Sequence, residues 1–147
     1  MKCCFTGHRD IPEQDISLLK NKVKEEIEHL ICQGYKTFLC GGALGFDLLC
    51  GEIVLEIKEK IPDTELIVVF PCRAVNQKIW KSYEKITERA DQVLYLSETY
   101  FRGCYHKRNR YMVDHTDFVI SYCRKNQGGA YYTIEYARTK GLPVISL

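Results

Sequence analysis

No run in the sequence stays apolar long enough to cross a bilayer, and its opening stretch, Met1-Lys2-Cys3-Cys4-Phe5-Thr6-Gly7, turns polar too soon to read as a secretory signal. A membrane partner is therefore not expected, and a cytoplasmic location is. Internal repeats, linkers and low-complexity segments are also lacking. There is no C-x-x-C pair and no Cys/His cluster at zinc-ligand spacing, so no metal site is expected. The eight cysteines do not form a disulfide framework pattern: Cys3, Cys4, Cys40, Cys50, Cys72 and Cys123 lie in or beside apolar runs, where a thiol serves as a small buried hydrophobe. Cys72 and Cys104, read as loop residues, are the two expected to be reactive. A strong charge of either sign is missing too, and a formal net charge of +2 argues against nucleic acid as a partner on electrostatics alone.

What is present is a chain of 147 residues, read as a single domain over 1–147 and long enough to bury roughly 68–70% of its unfolded surface. Apolar runs at Lys2 to Phe5, Lys36 to Cys40, Leu66 to Phe70, Gln92 to Leu96, Phe118 to Tyr122 and Pro143 to Leu147 read as strands. Between them, helical periodicity marks Ile16 to Ile31, Leu48 to Ile57, Val75 to Ile86, about Lys107 to His115 and about Tyr131 to Lys140. Pro12 suits a first helical turn, Gly34 and Gly141 suit helix ends, and Trp80 is read as packing. Strict alternation of this kind predicts an α/β fold with a doubly wound, mostly parallel sheet of about six strands and helices on both faces.

In such a sheet ligands bind beyond the carboxyl ends of the strands, and every distinctive motif falls there. Gly41, Gly42, Ala43 and Gly45 sit where the second strand becomes a helix, and Gly128-Gly129 precede the last helix. Glycines at these points let backbone amides and a helix N-terminus face an anion. The spacing is neither the dinucleotide nor the P-loop fingerprint, so close packing at a tight turn is the competing explanation for either pair alone. Thr6, Gly7, His8 and Arg9 break out of the first strand as a ligand-facing loop, and Pro71 ends the third. Asp47 lies in the first turn after the glycine loop, suited either to the helix dipole or to a ligand hydroxyl. Two glycine pairs plus basic residues on one edge fit a phosphate-bearing ligand better than turn sterics.

The combination of C-F-T-G-H-R, G-G-A-L-G-F-D, K-R-N-R-Y-M-V-D and a late G-G resembles the YpsA-like family of the SLOG superfamily over nearly the whole chain. The resemblance implies a Rossmann-like domain for a nucleotide or nucleotide-derived ligand, related to LOG-type phosphoribohydrolases and to the DNA-processing protein DprA. Against the LOG pattern R-K-x-x-M-x-x-x-A-D-x-F-I and P-G-G-x-G-T-x-x-E, Arg108, Met112, Asp117, Gly128, Gly129 and Glu135 match. Gln127, Tyr131 and Tyr132 replace that pattern's proline, glycine and threonine.

The leading expectation is a sensor or regulatory module for a small nucleotide ligand, with no further cofactor. Its phosphate would be held by Thr6 to Arg9, by both glycine loops, by Arg108 and Asn109, and by Thr133. A second is a nucleotide N-glycosidase, Glu135 standing by the anomeric carbon and Arg108 anchoring phosphate. A third is single-stranded DNA binding, from Lys107, Arg108 and Arg110 beside Tyr100, Phe101, Tyr105 and Tyr111. Superfamily members often dimerise, so a homodimer is compatible with the resemblance.

Overall fold

Apolar residues alternate in sidedness along the strands, and this sorts the core into two layers. In β1 (Lys2–Gly7), Cys3 and Phe5 face one way and Cys4 the other; β2 (Thr37–Cys40) and β3 (Glu65–Phe70) divide in the same manner. With both faces apolar, such strands need cover on both sides. The computed structural model describes residues 1–147 and supplies that cover. Helices α1 (Ile16–Cys32), α2 (Phe46–Lys60) and α3 (Gln77–Arg89) pack on the first face, over a core cluster of 23 residues that includes Phe5, Phe38, Phe46, Phe70 and Tyr83. Helices α4 (Cys104–Asp114) and α5 (Gly129–Thr139) cover the second, over a cluster of eight centred on Met112, Val113 and Val119.

All strand pairs are parallel, and the six strands, with β4 (Gln92–Tyr95), β5 (Phe118–Tyr122) and β6 (Val144–Ser146), run in the order β4-β3-β2-β1-β5-β6. The chain steps outward from β1 to β4, then returns through α4 to place β5 on the other side of β1. Strand order therefore reverses between β1 and β5, where Cys3 to Gly7 pair with Phe118 to Tyr122. A crevice opens at the carboxyl ends of strands at such a reversal.

Four expectations need correction. Helix α4 starts at Cys104, nearly a turn before Lys107, because Gly103 in the left-handed region turns the aromatic loop directly into it. Helix α5 starts at Gly129 rather than Tyr131, so the late glycine pair is the helix start itself. Cys72 and Cys104 are both buried, which removes the access that reactivity needs, while Cys32 is the exposed thiol. Trp80 is 40% exposed and so is not a core residue. No helix is long and apolar enough to cross a membrane.

Candidate functional site

Beyond the carboxyl ends of β1 and β5 lies a cavity of about 600 Å³. Thr6 to Asp10 form one wall, Tyr122, Arg124 and Lys125 the facing one; α4 contributes Tyr105, His106, Arg108 and Asn109, and α5 its first residues, Gly129 and Ala130. Four cationic side chains, Arg9, Arg108, Arg124 and Lys125, line it against two carboxylates, Asp10 and Asp47. The cavity thus concentrates in one place an excess of positive charge equal to the +2 formal net charge of the whole chain.

The two glycine loops do different work. In the β2–α2 loop, Asp47 accepts the Gly41 amide at 2.9 Å, while the Arg108 guanidinium donates to the Gly41 carbonyl and, through Nε, to Asn109 Oδ1 at 2.8 Å. The backbone of one residue, Gly41, is held at both its amide and its carbonyl, and the clamp ties α2 to α4. Gly42, at φ 66°, lies where any Cβ would overlap the Phe70 ring, and Gly45, at φ 77°, is pressed against the Arg9 backbone. The Phe46 amide at the start of α2 is already bonded to the His8 carbonyl at 3.0 Å. Close packing therefore explains this loop, and only Ala43 and Asp47 of it reach the cavity. The α5 start is the open one. Gly128 caps it without any side chain, a Cβ on Gly129 would meet nothing nearer than Asn109 Nδ2 at 3.9 Å, and the helix presents its N-terminus to the cavity.

His8 fixes the third element. Its Nε2 accepts the Arg124 amide at 2.7 Å, so the ring is neutral there, with its proton on Nδ1. Its backbone amide bonds the Tyr122 carbonyl at 3.1 Å. Burial first, then Lys125 and Arg124, hold its pKa below the usual histidine value, consistent with that neutral state. Arg124 lies over the Tyr122 ring at 4.6 Å and donates to the Leu147 carbonyl at 2.6 Å. At the cavity floor, burial pushes the Asp47 carboxyl up to about 6 despite Arg108 and the Gly41 amide; burial likewise lowers Arg108, which Asp47 opposes.

Of the residues expected at the site, Thr6, Gly7, His8, Arg9, Ala43, Asp47, Arg108, Asn109 and Gly129 come together around this cavity. Gly41, Gly45 and Gly128 stand behind it as backbone support. Gly42 and Pro71 line a small apolar niche next door, which shares Arg9, Tyr105 and Arg108 with the cavity. Thr133 is buried, with its hydroxyl donating to the Gly129 carbonyl. Glu135 lies outside the cavity lining, and its carboxylate pairs with Arg138 at 3.0 Å, one helical turn on. The expected catalytic role of Glu135 therefore lacks the required position. Arg124 and Lys125 were missed; their place directly after a strand end was the available signal. Asp10, Pro12, Tyr105, His106, Tyr122 and Ala130 also line the cavity without having been singled out for it.

Comparison with known proteins agrees with this architecture. Two DprA structures share the fold: that from Streptococcus pneumoniae at a TM-score of 0.75 and 18% identity, covering 99% of this chain and 49% of that one, and that from Helicobacter pylori at 0.72 and 21%, covering 99% and 64%. A UPF0398 protein of Staphylococcus epidermidis is 30% identical over 117 residues, which is 76% of this chain and 61% of that protein. The prophage-derived protein YoqJ of Bacillus subtilis is 27% identical over 139 residues, 82% of this chain and 80% of its own. The chain thus spans under two thirds of the staphylococcal relative's length. The YpsA model, described as the YspA SLOG family, matches residues 4–142, and the chain belongs to that family.

Proposed function

We propose that this protein binds a nucleotide or nucleotide-derived anion in the cavity between β1 and β5. One observation carries the reading: four cationic side chains and a helix N-terminus free of any side-chain cap converge on a single cavity at the strand-order switch. The phosphate is placed against the first amides of α5, between Arg9 on one wall and Arg124 and Lys125 on the other. Arg108 acts from the floor, because its guanidinium is already engaged by Gly41 and Asn109. A volume of about 600 Å³ falls within the range, about 300–1,000 Å³, in which small-molecule sites are built. The DprA of Helicobacter pylori, which shares this fold, binds single-stranded DNA, and that supports nucleotide chemistry for a cavity built on the same framework.

A binding role is favoured over N-glycosidic cleavage. Cleavage needs a carboxylate beside the anomeric carbon, and Glu135 lies outside the cavity on Arg138. The test is equilibrium dialysis against nucleoside monophosphates, ADP-ribose and dinucleotides, followed by chromatographic separation of bound, free and cleaved species. The expected outcome is retention of an intact ligand, weakened at least tenfold (about 1.4 kcal/mol) in Gly129→Leu and in the Arg124→Ala, Lys125→Ala double variant, both folded. Failure of the wild type to retain any of the panel, or undiminished retention by both variants, refutes it. Release of free base, lost in Glu135→Gln, would restore the hydrolase reading.

A further inference from the structure

The cavity does not end at α4. A groove of about 160 Å³ continues from it between α4 and α5 and shares His106 and Asn109 with it. Its remaining walls are Arg110, Tyr132, Thr133 and Tyr136. Tyr132 is 57% exposed and sets its ring edge-on to His106 at 6.4 Å, in the first turn of the helix whose N-terminus faces the cavity. The polar end of the groove is closed, since the Tyr136 hydroxyl donates to Asp114 at 2.8 Å and Thr133 to the Gly129 carbonyl. The Tyr132 ring and Arg110 are left facing solvent.

Core packing does not account for this. An aromatic ring left largely in water gains little of the stabilisation that burial would give it. A ring beside a histidine and a guanidinium is instead the makeup of a platform on which a planar base stacks. Charge is complementary as well: Lys107 and Arg110 are exposed on the same helix, and the carboxylate at the end of the groove, Asp114, is engaged by Tyr136 and Lys140.

We infer that the groove between α4 and α5 holds the base of a second nucleotide, next along the strand from the one bound in the cavity, so that the preferred ligand is a single-stranded nucleic acid segment rather than a mononucleotide. The inference rests on the cavity reading above. A duplex is the wrong shape, because its bases offer their edges and not their faces to the protein. The groove meets the cavity at His106 and Asn109, so the strand passes from the cavity over these residues into the space between α4 and α5.

Thymidine 5′-monophosphate and 5′-phosphorylated tetrathymidylate are the probes, with binding followed by fluorescence anisotropy and by competition. The wild type is expected to bind the tetranucleotide about tenfold more tightly than the monophosphate. Tyr132→Ala, a change at an exposed helical position, is expected to remove that difference while leaving monophosphate affinity unchanged. Arg110→Ala is expected to lower tetranucleotide affinity and flatten its salt dependence. Equal wild-type affinities for the two probes, or a Tyr132→Ala protein that keeps the tenfold preference, would overturn the inference and leave the cavity reading standing. A wild type that binds neither probe overturns both.

Discussion

At the level of single residues, glycines of similar appearance in the sequence carry unlike constraints. Gly42→Ala places a methyl group in the Phe70 ring at a left-handed φ of 66°, combining backbone strain with overpacking. A loss of about 2–4 kcal/mol is expected in urea unfolding. Gly129→Ala has room, and alanine is the better helix former, so the same measurement should show no loss and up to about 1 kcal/mol of gain. Comparable losses in the two variants would refute the distinction between a packing loop and an open one. Asp47 makes a second residue-scale prediction. Its folded pKa of about 6 lies above the ordinary 3.8, so its contribution to stability is full below about pH 3.8 and is lost as pH rises through about 6. Protonation also removes a negative charge from the cavity floor. Sulfate, which stays dianionic throughout, should therefore bind several-fold more tightly at about pH 5 than at about pH 7, and Asp47→Asn should flatten much of that dependence. A wild-type affinity independent of pH would exclude the carboxylate from the site. The sequence placed Asp47 and Gly129 at the right edge of the sheet. It could not separate Gly42 from Gly129, because the difference lies in Phe70, brought there from another strand, nor place Glu135 on Arg138 and outside the cavity lining.

Elements were legible where apolar periodicity was strong and less so where backbone geometry decided. The six strands were readable because each is a short apolar run ending in a turn. The start of α4 was not, since Gly103 admits the helix through a left-handed turn that the surrounding Tyr100, Phe101 and Tyr105 disguise as an irregular loop. Helix α3 has an ordinary cap: Asn76 Oδ1 accepts the Ile79 amide at 2.9 Å. Asn76→Ala should lower stability by about 1 kcal/mol without affecting ligand affinity, since α3 contributes no residue to the cavity lining. The loop from Cys123 to Gly128 behaves differently. It is held by the His8 to Arg124 bond, and His8 has its pKa lowered in the fold. The folded state therefore favours the neutral ring: that stabilisation is full above about pH 6.5 and is lost as pH falls through the lowered folded value. Lys125 and Arg124 oppose protonation of His8, whereas Asp10 favours it. Hydrogen exchange at the Arg124 amide, corrected for intrinsic rate, should accelerate on acidification in the wild type. It should be fast at all pH values in His8→Ala. An Arg124 amide equally protected in the variant would show that the loop is held by something else.

The whole molecule is an asymmetric sandwich, with three helices and the larger core cluster on one face and two helices with the smaller on the other. The cavity lies at the one edge to which both faces contribute, α2 from the first and α4 and α5 from the second. The cysteines report on this arrangement independently of any ligand. All eight are free; Cys3, Cys4, Cys40, Cys50, Cys72 and Cys104 are buried, Cys123 is half-buried, and Cys32 is exposed at the end of α1. Burial pushes the Cys4 thiol up to about 12 and raises Cys3, Cys40, Cys50 and Cys72 as well, so these groups lack both access and thiolate character. A thiol-reactive chromogenic disulfide should therefore label Cys32 quickly in the native protein, Cys123 more slowly, and the remaining six only at the rate of unfolding. All eight should react at once in guanidinium chloride. Because Cys72 and Cys104 sit where the third strand and α4 meet beside the cavity niche, saturating nucleotide should slow their labelling while leaving Cys32 unchanged. Rapid native labelling at Cys40 or Cys50 would mean that the three-helix face opens far more readily than its packing allows.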